Sequence, residues 1–159
     1  MLNLPEGTVR GMLSKLSEEG LIDAKKLGCI LTEQGKEMLS GWLKRHNIIS
    51  IQPVDFGPLK IADAHVAVQV RKVGQIPLLE KRDLAVRAGA KGAIMLTFSK
   101  GKLGMPLTYP DLPEAFPKVA TALSTSFHFE DGDLLIIGGA ENEWRALEGA
   151  LAIAASLTL

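Results

Sequence analysis

The sequence predicts an α+β fold in two parts, a helix–hairpin–helix segment over residues 1–47 and an α/β domain over residues 48–159. In the first part, apolar residues recur at helical spacing, and two short strand-like runs follow without a linker. In the second part, strand-like and helical runs alternate. This alternation favours a mixed sheet covered by helices, in an α/β sandwich type of domain.

The composition is typical of an ordered globular protein and limits the classes of partner. Of 159 residues, 47% are hydrophobic, and the 18 basic side chains balance the 18 acidic ones. Zero net charge excludes a wholly basic nucleic-acid binder, so any DNA contact must come from a local patch. The chain lacks a membrane-length apolar run and signal-peptide features, and its single cysteine suits a reducing compartment. We expect a cytoplasmic protein with no membrane partner.

The first helix is predicted over Pro5 to Glu19. Its apolar residues form one stripe: Val9, Met12, Leu13 and Leu16. The opposite face is small and polar, as in helices that read base edges in the major groove. The candidate DNA-binding residues on this face are Thr8, Arg10, Ser14 and Lys15. A solvated helix surface is the alternative that this pattern alone leaves open.

A short basic hairpin follows the helix directly. Its strands are predicted over Leu21–Lys25 and Cys29–Leu31, with a tight turn between them. A hairpin in this place is typical of the wing of a winged helix-turn-helix module. Lys25 and Lys26 at its tip would then contact DNA phosphates.

The hairpin leads into a second predicted helix, Glu33–His46, which Thr32 caps. We expect this helix to bury four apolar residues: Met38, Leu39, Trp42 and Leu43.

Two strings in this region carry a family resemblance: LPEGTVRGMLSKLSEEGLI and LTEQGKEML. They resemble the winged-helix transcriptional regulators of bacteria and archaea. In that family two further helices precede the recognition helix, whereas only Met1–Leu4 precede it here. The resemblance therefore implies a chain that begins inside the motif, through a late start codon, truncation, or a module that does not bind DNA as a monomer. The apolar stripe then needs cover from the second domain or a second subunit.

The second part contains strand and helix signals in alternation. The predicted strands are Ile48–Val54, His65–Arg71, Ala93–Phe98, Leu103–Leu107 and Leu134–Ile137. Two of the predicted helices are Pro77–Ala90 and Glu141–Leu157. A third begins after Asp111, which caps it, and is expected to bury Phe116, Val119, Ala120 and Leu123. In the second strand, alternate valines share the core face. The other face carries His65, Gln69 and Arg71, and we expect it to be accessible.

Two further strings carry a second resemblance: KRDLAVRAGAKGAIMLTFSKGKLGMP and GDLLIIGGAENEWRALEGALAIAA. They are similar to the uncharacterised C-terminal domain of a group of archaeal winged-helix proteins. This resemblance implies a regulator, with no ligand or activity attached.

The candidate effector-binding residues in the second part are Gly138, Gly139, Arg82, Asp83 and Arg71. The two glycines lie between a predicted strand and helix, where backbone N–H groups bind phosphates in many α/β proteins. The sequence contains no G-x-G-x-x-G or G-K-[ST] string there, which favours the alternative of a simple tight turn. Asp83 interrupts an apolar row beside Arg82 and is expected to be buried, so it must pair with an arginine or line a pocket. Arg71 is a weaker candidate.

The sequence shows no constellation of residues for catalysis or metal binding. The three histidines, His46, His65 and His128, lie in separate elements, and Cys29 has no histidine near it in sequence. We expect no cofactor, no metal and no enzymatic activity.

These observations predict a transcriptional regulator that binds double-stranded DNA as a homodimer, with a C-terminal domain for small-molecule sensing or dimerisation. Two alternatives remain: a small-molecule-binding enzyme with a vestigial winged helix, and a protein-interaction module. The enzyme alternative requires a convergent polar pocket in the second domain, and Arg71, Arg82 and Asp83 around one cavity would favour it.

Overall fold

The computed structural model describes residues 5–25, 28–71, 73 and 78–157. Within them, the helices are α1 (Glu6–Glu18), α2 (Glu33–Arg45), α3 (Leu78–Arg87), α4 (Leu112–Ala115), α5 (Pro117–Ser126) and α6 (Glu143–Ala155). The strands are β1 (Ile22–Lys25), β2 (Gly28–Leu31), β3 (Ile48–Pro53), β4 (Ala64–Val70), β5 (Gly92–Ser99), β6 (Lys102–Gly104) and β7 (Leu134–Ala140). The α+β class is confirmed. The chain divides into two compact units, Met1–Arg45 and His46–Leu159.

In the first unit, the start of α2 packs closely against the segment that follows α1. The Thr32 hydroxyl accepts a hydrogen bond from the Gly35 N–H at 3.0 Å, which confirms the predicted cap, and donates one to the Gly20 carbonyl at 2.6 Å. A Cβ on Gly35 would lie 2.0 Å from the Leu21 carbonyl oxygen. A glycine is therefore required where the two segments meet.

The expectation that α2 buries its apolar face is wrong. Met38 and Leu39 are 62% and 47% exposed, and Trp42 and Leu43 are half-buried. Two helices and a two-stranded hairpin do not form enough core to cover both apolar faces.

The second unit contains a five-stranded sheet with the order β3-β4-β7-β5-β6. Every neighbouring pair is antiparallel, so the expected mixed sheet is wrong. Strands β4 and β5 run in the same direction and are connected through α3, but β7 lies between them. The arrangement is a split β-α-β motif, in which the inserted strand prevents parallel pairing.

Helices cover both faces of this sheet. Helices α3 and α6 lie on one face, where a Cβ on Gly138 would lie 2.0 Å from the Ala146 carbonyl oxygen. The other face packs into the main core with α4 and α5, through Phe56, Ala67, Leu96, Leu112, Val119, Leu123, Phe127, Leu135 and Ile137. The face of β4 expected to be accessible is therefore buried, with His65 5% and Gln69 1% exposed.

Two further expectations, a single helix after Asp111 and a turn at Gly138 and Gly139, are wrong. The helix predicted after Asp111 is split into α4 and α5 at Pro117, which supplies no N–H to continue the first helix. Asp111 itself caps α4 as predicted, accepting a hydrogen bond from the Glu114 N–H at 3.1 Å. Gly138 and Gly139 lie inside β7 and not in a turn after it.

In the described part of the chain, no helix is long and apolar enough to cross a membrane.

Candidate functional site

The polar face of α1 is open to solvent along its whole length. None of the 13 residues of α1, all of them described, is buried, and Thr8, Arg10, Ser14 and Lys15 are all exposed. The structure thus places these four predicted residues on one accessible surface, which we call the α1 polar face.

Two of these side chains form hydrogen bonds with acidic neighbours on the same helix. Arg10 donates to the Glu6 carboxylate at 2.7 Å, with 79% and 78% of the two side chains exposed, and the Ser14 hydroxyl donates to Glu18 at 3.0 Å. Ion pairs this exposed contribute about 0–1 kcal/mol. Arg10 can therefore exchange Glu6 for a phosphate or a base edge at little cost.

The hairpin after α1 places a further basic residue at its end. Strands β1 and β2 pair in the antiparallel register that sets Lys25 opposite Gly28. Lys25 is exposed, and so is the free thiol of Cys29. Lys26 lies outside the described residues.

Arg71 is occupied by a buried carboxylate of its own unit. It binds Glu130 at 2.5 Å and approaches Asp133 at 3.4 Å. The Asp133 side chain is fully buried and also accepts from Gln69 Nε2 at 2.8 Å and from the Glu130 N–H at 2.9 Å. Arg71 therefore balances the charge of the buried Asp133 carboxylate, which lies directly before β7.

Arg82 and Asp83 lie together on the surface of α3. Asp83 is exposed, so the expectation of a buried carboxylate is wrong, and no partner is required. Both residues line a depression of about 410 Å³ with Glu80, Val86, Lys91 and Gly92. Arg71 is not among its described lining residues, so the arrangement that would favour the enzyme alternative is not found there.

The glycine pair serves close packing in the structure. Gly138 and Gly139 are paired on both sides of β7, with β4 and with β5. A Cβ on Gly139 would lie 2.5 Å from Ile61 Cγ1. The strand-to-helix turn on which the phosphate hypothesis depended does not exist at these residues. The start of α6 is instead capped by Asn142, whose Oδ1 accepts from the Arg145 N–H at 2.9 Å.

Sequence reasoning missed a second, more apolar cavity beside the first. It has a volume of about 320 Å³ and shares Arg82, Lys91 and Gly92 with the neighbouring depression. The remaining lining residues are Ile61, Ala93, Ile94, Met95, Met105, Pro106, Leu107 and Thr108. They come from separate segments of the chain, and no local motif marks them.

His65 is the buried titratable side chain with a shifted pKa. Burial lowers the pKa of His65 below its ordinary value of 6.5, an effect that the Asp55 charge opposes and the Lys60 charge reinforces. Its Nε2 accepts a hydrogen bond from the Ile61 N–H at 3.1 Å, which requires the neutral ring. Within the described ranges, no three His, Cys, Asp or Glu side chains are grouped to hold a metal ion.

Comparisons with known proteins place the chain in a family without a stated function. Residues 61–158 match the model of the family described as "Domain of unknown function (DUF4443)". The hypothetical protein PH0730 from the archaeon Pyrococcus horikoshii OT3 is similar in structure, with a TM-score of 0.78 and 33% identity over 98% of this chain and 79% of that chain. No curated protein matches the chain. The chain belongs to the DUF4443 family.

Proposed function

We propose that this protein is a DNA-binding transcriptional regulator, in which α1 is the recognition helix and the β1–β2 hairpin is the wing. The observation that carries the proposal is the accessible α1 polar face, followed directly by a hairpin whose first strand ends in an exposed lysine, Lys25. The order α1-β1-β2-α2 is the order of a recognition helix, a wing and the helix after it.

The dimensions of α1 support this assignment. A helix of 13 residues is about 20 Å long, enough for two to three turns to lie in a major groove. Arg10 would contact a guanine or a phosphate, while Thr8, Ser14, Lys15, Lys25 and Lys26 would contact the DNA backbone. The contacts to the DNA backbone would give affinity without sequence information, and Arg10 would supply base readout where it contacts a guanine.

A homodimer is the proposed binding form. The apolar side chains opposite the α1 polar face are open, with Met12 at 54% and Leu13 and Leu16 at 36% exposed. A second copy would cover this stripe and double the number of phosphate contacts on a symmetric site. The second unit would serve small-molecule sensing or dimerisation, without catalysis or a cofactor, in a cytoplasmic regulator.

The test compares two matched ion pairs of the first unit. Arg10 pairs with Glu6 on the α1 polar face, and Lys36 pairs with Glu33 on α2 at 2.6 Å, and both pairs are exposed. Duplexes would be selected from sheared genomic DNA, and their affinity for the full chain measured by fluorescence anisotropy. We expect Arg10→Ala to weaken binding about tenfold or more and Lys36→Ala to leave it unchanged.

Two results would contradict the proposal. One is a failure of the wild-type chain to retain any duplex above the level of a random sequence. The other is equal loss of affinity in the Arg10→Ala and Lys36→Ala variants, because only Arg10 lies on the α1 polar face. Circular dichroism of both variants would check that the first unit remains folded.

A further inference from the structure

The 320 Å³ cavity of the second unit lies along the outer edge of β5. Four consecutive residues of that strand, 92–95, line it, so the cavity follows the strand edge and not one face. Strand β6 pairs only with Thr97–Ser99, which leaves this edge without a strand partner among the described residues. Unpaired backbone groups of β5 are therefore directed towards the cavity.

The charged residues of the cavity are all basic. Arg82 and Lys91 are the charged side chains in its described lining, and the other lining side chains are apolar except Thr108. Lys91 lies 4.0 Å from the Asp63 carboxylate, and both side chains are largely exposed, so this ion pair is weak and leaves the ammonium group available. The cavity thus combines an apolar wall with a positive end.

The loop over residues 105–110 forms one rim of the cavity and has a fixed conformation. Met105 and Tyr109 are joined by two backbone hydrogen bonds of 2.7 and 2.9 Å. A Cβ on Gly104 would lie 2.5 Å from the Pro110 carbonyl oxygen, so the two ends of the loop are in direct contact. Lys102 and Asp111 form an ion pair at its base. The hydrogen bond from Lys102 lowers the pKa of the Asp111 carboxyl, and the Glu114 N–H adds to this effect.

Leu107 is held at this rim in an unfavourable conformation. It has a φ of 71° and is 88% exposed. A branched apolar residue is rarely found in the left-handed region and gains nothing there from burial. A strained, solvent-exposed leucine on the lining of a cavity is expected where the side chain contacts a ligand.

We propose that this cavity binds a small organic anion, a carboxylate with an apolar body of about five to eight carbon atoms. The carboxylate would bind Arg82 and Lys91, and the apolar body would lie against Met95, Met105 and Leu107. The cavity volume is within the range of small-molecule sites, about 300–1,000 Å³. This inference rests on the proposed function in one respect, since the anion would be the effector that the second unit senses.

The methionines of the chain provide an internal control for the test. Met95 and Met105 line the cavity, whereas Met12 and Met38 lie in the first unit. The full chain would be labelled with methyl-¹³C methionine and titrated with hexanoate, 4-methylpentanoate and 3-phenylpropionate, without DNA. We expect at least one acid to shift the Met95 and Met105 methyl signals saturably, at concentrations up to about 1 mM, with Met12 and Met38 unchanged.

Charge dependence is tested with matched compounds and variants. The amide of each acid should bind about tenfold more weakly, as should each acid to the Arg82→Gln and Lys91→Gln variants. Arg87→Gln is the control, because Arg87 is exposed on α3 but is not among the described lining residues. Leu107→Gly should weaken the acid with the largest apolar body most.

The proposal is overturned if none of the three acids shifts Met95 and Met105, or if the amides bind as tightly as the acids. It is also overturned if Arg87→Gln weakens binding as much as Arg82→Gln. Because the titration contains no DNA, a negative result concerns the cavity alone. Failure of the proposed DNA binding would leave the Met95 and Met105 shifts unaffected, so the two failures are distinguishable.

Discussion

At the scale of single residues, Arg71 shows that a charged side chain can have a structural partner that its own segment of sequence does not reveal. Its sequence neighbours place it on a strand face and identify no partner. The partner, Asp133, lies 62 positions later in the chain and is brought to Arg71 by the pairing of β4 with β7. Charge and periodicity could predict that a buried carboxylate needs a partner, but they could not predict this long-range contact.

His65 gives the unfolding free energy a predicted dependence on pH. In the unfolded chain its pKa is the ordinary 6.5, and in the folded chain it is lower, chiefly because of burial. Below pH 6.5, His65 therefore binds a proton in the unfolded state but stays neutral in the folded state until the pH reaches its lower, folded-state pKa. The contribution of His65 to stability is therefore constant well above pH 6.5 and decreases as the pH falls through 6.5 towards the lower, folded-state pKa.

Urea unfolding of the wild type and of His65→Asn, measured between pH 5 and pH 8 in steps of about half a unit, checks this prediction. The variant should lose part of the decrease in stability below pH 6.5. His128→Gln is the control, because the His128 ring is exposed and its backbone carbonyl, not its ring, accepts from Gln69. Identical pH profiles for the wild type and His65→Asn would show that His65 is not responsible.

At the scale of elements, periodicity predicted most helices and strands to within a few residues. The exceptions have physical causes that lie outside the local pattern. Gly138 and Gly139 indicated a turn, but they allow α6 and Ile61 to approach β7 closely. The apolar face of α2 indicated burial, because spacing shows which residues share a face and not whether another element covers it.

At two glycines of α2, substitution by alanine is predicted to change the stability of the first unit in opposite directions. A Cβ on Gly35 would lie 2.0 Å from the Leu21 carbonyl oxygen, whereas nothing lies within 4 Å of one on Gly41. Gly35→Ala should therefore destabilise the first unit by about 2 kcal/mol or more, through overpacking against backbone. Gly41→Ala should stabilise it by about 0.5–1 kcal/mol, through helix propensity.

Thermal unfolding followed by circular dichroism, with amide hydrogen exchange of residues in α1 and α2, would measure both effects. A Gly35→Ala variant as stable as the wild type would show that α2 does not require this contact with the chain after α1.

At the scale of the whole molecule, the α+β class and the helix–hairpin–helix segment could be predicted from the sequence, whereas the sheet topology and the cavity could not. The insertion of β7 between β4 and β5 is a long-range pairing that no local pattern encodes. The cavity is formed by residues near positions 61, 82, 91–95 and 105–108, each unremarkable in its own segment. The α1 polar face, in contrast, was predictable because one continuous helix carries it.

The most direct test of the central claim is the salt dependence of DNA binding by the full chain. Anisotropy titrations of a selected duplex, between about 50 and 200 mM salt, give the slope of log K against log salt, which is about −0.9 for each phosphate neutralised. We predict a steep negative slope for the wild type, a slope shallower by about 0.9 for Lys15→Gln and for Lys25→Gln, and no change for Lys36→Gln. A slope of zero, or an equal change for all three variants, would contradict DNA recognition by α1 and the hairpin.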